Sequence, residues 1–167
     1  MKIKKIAVYT FEELTQSSKE KAVAKFSQGD EYPWFDDAMA SATAFVEHFG
    51  AKITDYSIGA ESYRGYVKTT IEPSSFRGMK LKDFDRDHMP TGYCIDCDLW
   101  QEFYDEFKKT GHAHHAFNMA IESFLNAVAR DVEHYFSFEN MAEILEINEY
   151  EFNEDGSWFC GKEVVNG

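Results

Sequence analysis

The order of hydrophobic patterns in this 167-residue chain predicts an α+β fold: about five helices packed on a small, mainly antiparallel sheet with a C-terminal hairpin. Three observations carry that reading. Apolar residues recur at spacings of three and four in five segments, the signature of amphipathic helices. The runs rich in β-branched and aromatic residues are few and short, so the sheet must be small. Near the end, Asp155-Gly156 separates two apolar runs, a strong hairpin signal. At this length one domain spanning 1–167 is the expectation. With 44% apolar and 28% charged residues the chain reads as folded.

The elements follow in order. Lys5 to Thr10 reads as a strand. Thr15 or Ser17 then caps a helix running to about Ser27, with Ser17 and Glu20 at capping-box spacing, and Ala22, Val23 and Phe26 as its inner face. Asp30 and Pro33 open a second helix, in which Trp34, Ala38, Ala42, Phe45 and Phe49 share a face before Gly50 ends it. Lys52 to Ile58 and Tyr63 to Ile71 read as strands, stopped by Pro73. Ser74 to Gly92 reads as a long loop, uncommon enough in compact domains to suggest mobility or function. Leu99, Trp100, Phe103 and Phe107 mark a helix over 96–109, broken by Gly111. The clearest helix is 114–136, with Phe117, Ile121, Phe124, Leu125, Val128, Val132 and Tyr135 on its inner face. Ser137 caps a last helix to about Ile147.

The charge is large and uneven. The 17 Lys and Arg stand against 30 Asp and Glu, a net of −13. That balance speaks against direct nucleic-acid binding, which needs clustered cations to meet phosphates. Six of the Lys lie within residues 1–25, whereas the nine acids from Asp131 to Gly161 and the six from Asp87 to Phe107 have no Lys or Arg among them. On helices turning about 100° per residue, Glu139, Glu143 and Glu146 share one face, and Asp98, Glu102 and Asp105 share another. Like charges so placed destabilise a helix by a few tenths of a kcal/mol per pair. Two such stripes, with Glu149 extending the first, fit a surface imitating the phosphate ladder of nucleic acid. The alternative is a solvated face that keeps an acidic protein in solution.

Other constellations lead less far. Cys94 and Cys97 form C-x-x-C, with His112, His114 and His115 following at a zinc-finger-like distance, but these histidines stand too close together for that pattern. Asp96 and Asp98 disfavour the thiolates and weigh against a redox role. Asp83, Asp85 and Asp87 open like a calcium loop, yet His88 and Cys94 stand where that loop needs Gly and Glu. Glu47-His48 and Glu133-His134 belong to no metalloprotease motif, and no nucleophile elbow, phosphate loop or dinucleotide fingerprint occurs. The reading is therefore of no catalytic residue, no metal and no cofactor. Three cysteines do not suggest a disulfide framework. The opening residues are not a signal peptide and no run is long enough to span a bilayer, so a cytoplasmic protein with no membrane association is expected.

Tyr9-Thr10-Phe11-Glu12-Glu13-Leu14-Thr15, followed by Lys19-Glu20-Lys21-Ala22, resembles the start of a group of small tailed-phage and prophage proteins. Tyr32, Trp34, Phe35, Asp36 and Asp37, and the closing run Tyr150-Glu151-Phe152-Asn153-Glu154-Asp155-Gly156, are similar to that group as well. The resemblance covers the two ends of the chain and little of the middle. Some members are described as the antitoxin of a toxin–antitoxin system, and no catalytic residues come with the group. It implies an accessory phage protein in a bacterial host cell. Small acidic phage proteins often inhibit host defence, which makes a bacterial defence nuclease (CRISPR or restriction) or another nucleic-acid-binding protein the expected partner. The expected contact surface is Glu139, Glu143, Glu146, Glu149, Asp98, Glu102 and Asp105. Two readings stand beside it: an antitoxin-like protein using an apolar groove, and a zinc-dependent enzyme or zinc-stabilised module at Cys94, Cys97 and the histidines. A homodimer is left open.

Overall fold

A computed structural model describes residues 7–29, 31–58 and 65–160. They form five helices and two small antiparallel sheets, an α+β fold. In chain order these are β1 (Tyr9–Thr10), α1 (Gln16–Ser27), α2 (Phe35–His48), β2 (Ile53–Ser57), β3 (Tyr66–Thr69), α3 (Ile95–Thr110), α4 (Ala113–Tyr135), α5 (Phe138–Ile147) and β4 (Glu151–Phe152). Packing divides the chain into two units: Met1–Glu31 with His134–Gly167, and Tyr32–Glu133.

The first unit is built from the two ends of the chain. Thr15, extended at the head of α1, accepts a hydrogen bond on its side chain from the Ser18 amide. It is the cap, and the Ser17–Glu20 box does not form. β1 is shorter than the sequence pattern suggests, because Ala7 and Val8 pair with no strand among the described residues and Lys5 and Ile6 lie outside them. It pairs antiparallel with β4, Tyr9 opposite Phe152 and Thr10 opposite Glu151. The Asp155-Gly156 turn closes as expected: the Asn153 amide donates to the Ser157 carbonyl at 2.8 Å and Phe152 bridges Trp158. This turn docks on α1, where the Ser18 hydroxyl donates to the Glu154 carbonyl at 2.8 Å. Gly156, at φ +82°, has no room for a Cβ, which would collide with the Ser18 carbonyl oxygen. Ser137 caps α5 as expected, accepting from the Asn140 amide. Phe11, Leu14, Ala22, Val23, Met141, Leu145 and Phe152 fill the core of this unit.

The second unit is organised by aromatic rings. Phe45, fully buried on α2, lies 5.1–6.0 Å from Trp100, Phe103, Phe117 and Phe49. Offset and edge-on contacts at this range each add about 0.5–1.5 kcal/mol beyond area burial. Helix α2 starts at Phe35, with Trp34 as a half-exposed cap outside the core, and Asp30 lies outside the described residues. Strands β2 and β3 pair antiparallel, with an irregularity between Ile53 and Asp55. Tyr63 and Arg64, expected in the second strand, lie outside the described residues. The stretch expected to be a long loop is fastened instead. It makes two short 3₁₀ turns at Pro73–Phe76 and Leu81–Asp83, Phe76 is buried, and Phe84 stands 4.9 Å from Phe103.

Candidate functional site

The acids of α5 and its C-terminal extension gather on one face without an ion-pair partner among the described residues. Glu139, Glu143 and Glu146 are exposed on one face of the helix, with Met141 and Leu145 buried on the other. At 1.5 Å rise per residue they are spaced about 6 and 4.5 Å along the axis. None has an ion-pair partner among the described residues, nor does Glu149. Glu149 holds a backbone φ of 53°, a left-handed conformation that side chains avoid and that follows from closing the helix back on itself. Its amide donates to the Glu146 carbonyl and the Tyr150 amide to that of Leu145. Glu146 and Glu149 line a cleft of about 430 Å³ together with Glu12, Glu151, Phe11, Leu145 and Tyr150.

The α3 stripe is a different object. Asp105 accepts two hydrogen bonds from one guanidinium, Arg86 Nε at 3.0 Å and Nη2 at 2.8 Å. That pairing holds its carboxyl below the ordinary carboxylate range. Asp98 is half-buried, and burial pushes its carboxyl up, with Arg130 opposing. Glu102 is half-buried too. The expected second uncompensated stripe is thus partly answered by Arg86, which comes from the fastened loop 19 residues earlier. Spacing on α3 could not reveal that partner.

The remaining candidates separate in space. Cys94 and Cys97 sit at the start of α3, whereas the histidines lie beyond its other end, so the two groups are about 20 Å apart along the helix. His115 instead reaches Glu106 at 3.2 Å, and the His114 ring packs on Phe76 at 5.3 Å. Among the described residues no three His, Cys, Asp or Glu are arranged to hold a metal ion. The separation overturns the joint Cys–His zinc reading. Asp85 accepts from the Asp87 amide at 3.1 Å, a local turn in place of a calcium loop.

Two groupings had no signal in the sequence because distant segments build them. Trp100 is enclosed edge-on by His48 at 4.7 Å and His88 at 4.6 Å. Burial, and then the neighbouring His88, hold His48 below its ordinary value. The Tyr32 hydroxyl donates to Asp131, with Tyr93 in hydrogen-bonding reach of Tyr32 and of Cys94. In the first unit an apolar cavity of about 200 Å³ is lined by Ala22, Phe26, Leu145, Phe152 and Trp158, with Lys25 among its walls.

No family model, curated protein or solved structure matches the chain. No helix among the described residues is long and apolar enough to cross a membrane.

Proposed function

We propose that this chain is a non-enzymatic inhibitor that binds and blocks a basic nucleic-acid-handling protein, with a bacterial defence nuclease as the expected target. The observation that carries the reading is the exposed acidic face Glu139, Glu143, Glu146 and Glu149, without an ion-pair partner among the described residues and continued by Glu12 and Glu151 around one cleft. Carboxylates about one helical turn apart present negative charge at a spacing a phosphate-binding groove can accept. Holding unpaired charges together also raises the field that steers a basic partner onto the surface. The likeness of the chain's two ends to phage proteins supports the bacterial setting. Relative to the surface expected from the sequence, α5 takes the larger share of the contact, because Asp105 is already paired and Asp98 and Glu102 are half-buried.

The test is capture of partners from a bacterial host lysate on the tagged protein at two salt concentrations, repeated with two charge-reversed variants. Glu139→Lys, Glu143→Lys and Glu146→Lys together should abolish capture of a nuclease or other nucleic-acid-binding protein. Asp98→Lys with Glu102→Lys should weaken it far less. Equal capture by wild type and both variants would remove the acidic-face mechanism.

The apolar cavity beside Phe26 and Trp158 favours a second reading, the antitoxin-like one, in which a small toxin seats an apolar side chain there. Recovery of a toxin whose binding survives salt and is lost in Phe26→Glu would select that reading.

A further inference from the structure

We infer that Cys94 and Cys97 form a reversible dithiol–disulfide centre, in which Cys94 is the attacking sulfur and Cys97 the resolving one, and which low-molecular-weight disulfides oxidise.

The argument begins with backbone geometry. Cys94 caps α3 but is itself helical, at φ −57° and ψ −29°, and the Cys97 amide donates to its carbonyl at 3.0 Å. Residues three apart in such a turn have Cα atoms about 5 Å apart and Cβ atoms on one face. That Cα span lies inside the one a disulfide accepts, roughly 4.4–6.8 Å, while the Cβ atoms, about 5–6 Å apart on a helix, must close to about 4 Å as the first turn adjusts. Neither cysteine is in a disulfide, Cys94 is exposed and Cys97 is half-buried. A disulfide arriving from solvent therefore meets Cys94 first.

The two acids that weigh against a thiolate in the sequence are held by neighbouring groups, Asp96 through one oxygen only. Asp96 is fully buried, and its Oδ2 accepts from the Thr91 amide at 2.9 Å, the Thr91 hydroxyl at 3.0 Å and the Gly92 amide at 3.0 Å. Asp98 lies in the field of Arg130. The N-terminus of a 16-residue helix adds partial positive charge at Cys94.

The chemistry balances with an organic disulfide RSSR as the oxidant. The Cys94 thiolate attacks one sulfur of RSSR, the S–S bond breaks, and RS⁻ leaves and takes up a proton. The Cys97 thiolate then attacks the Cys94 sulfur of the mixed disulfide, forming the Cys94–Cys97 bond and releasing the second RSH. Two cysteine thiols are oxidised and one disulfide is reduced to two thiols.

The test uses the full chain carrying Cys160→Ser, reduced, desalted and incubated with oxidised glutathione, then alkylated and mapped by peptide mass. The expected product is a Cys94–Cys97 disulfide, reversed by reduced glutathione. With Cys97→Ser, Cys94 should instead accumulate the glutathione adduct, and with Cys94→Ser, Cys97 should react severalfold more slowly. Free thiols at both positions under excess oxidised glutathione, with Cys160 glutathionylated in the parent chain, would overturn the centre.

Discussion

The two units handle negative charge in opposite ways. In the Tyr32–Glu133 unit, carboxylates are drawn into the structure: Asp105 into the fork of Arg86, Glu106 between Lys109 and His115, Asp55 onto Lys68, and Asp96 onto three donors of the preceding turn. In the unit built from the chain ends, the acids of α5 and Glu151 of β4 are exposed and have no ion-pair partner among the described residues. Their cost to an isolated helix is small, a few tenths of a kcal/mol per pair, and the fold has not removed it. Acidity alone is therefore a poor guide to function in this chain. The informative property is acidity left without an ion-pair partner and gathered on one face, as it is along α5.

The cores differ as well, which gives the largest expected effects. Phe45→Ala should destabilise the aromatic unit by about 4 kcal/mol, the range for deleting a fully buried Phe. Urea unfolding followed by the fluorescence of Trp100 would measure it. In the other unit the most sensitive position is a glycine. Gly156→Ala should cost about 3 kcal/mol or more, since its φ of +82° and the Ser18 carbonyl both exclude a Cβ. The comparison sharpens with Gly50→Ala, also at positive φ but with open space around it, where only the backbone conformation should register, about 1–2 kcal/mol. Equal losses at the two glycines would show that the Asp155-Gly156 turn is not docked on α1 as described.

What could be read from the sequence follows the range of the interactions. Helical spacing found the buried faces of α3 and α4, because Leu99, Phe103, Phe117 and Val128 report their environment through local periodicity. Capping chemistry found Ser137, and the Asp-Gly pair found the last turn. Trp34 was assigned to a core it does not join, since spacing says nothing about where a helix begins. The pairing of β1 with β4 was illegible, because it joins residues more than 140 apart in the chain. So was the answer to each charge: Arg86 reaches Asp105 from a loop, and Glu12 joins Glu149 and Glu151 only when the chain ends meet. Charge along a helix is written in the sequence, whereas its neutralisation is written in the fold.

Glu149 offers a way to separate stability from surface charge in the acidic unit. Its left-handed backbone follows the last turn of α5, a position where glycine is the usual residue. Glu149→Gly should raise the stability of that unit by about 1 kcal/mol while removing one carboxylate from the cleft. Glu149→Gln removes the same charge and keeps the strain. If the acidic face binds a basic partner, both variants should lose affinity alike although their stabilities differ. Affinity that followed stability instead would mean the cleft is shaped by packing, and the charge is incidental.

The smallest effect lies in the other unit and depends on pH. His48 is held below the ordinary imidazole value by burial and by His88, among the uncharged rings of Trp100, Phe84 and Phe49. The unfolded chain then binds a proton more readily than the folded one. Stability should be fully present above about pH 6.5 and fall as the pH drops through the depressed folded value. The imidazole remains partly exposed, so water screens the effect to well under 1 kcal/mol. Asp98, pushed up by burial, has the opposite sign: its contribution is present in acid and fades as the pH rises above the ordinary carboxylate range. Denaturant midpoints between pH 5 and 8 should therefore slope upward in the wild type and flatten in His48→Asn, with Asp98→Asn changing only the more acidic end. A slope that persisted in His48→Asn would overturn the assignment to His48.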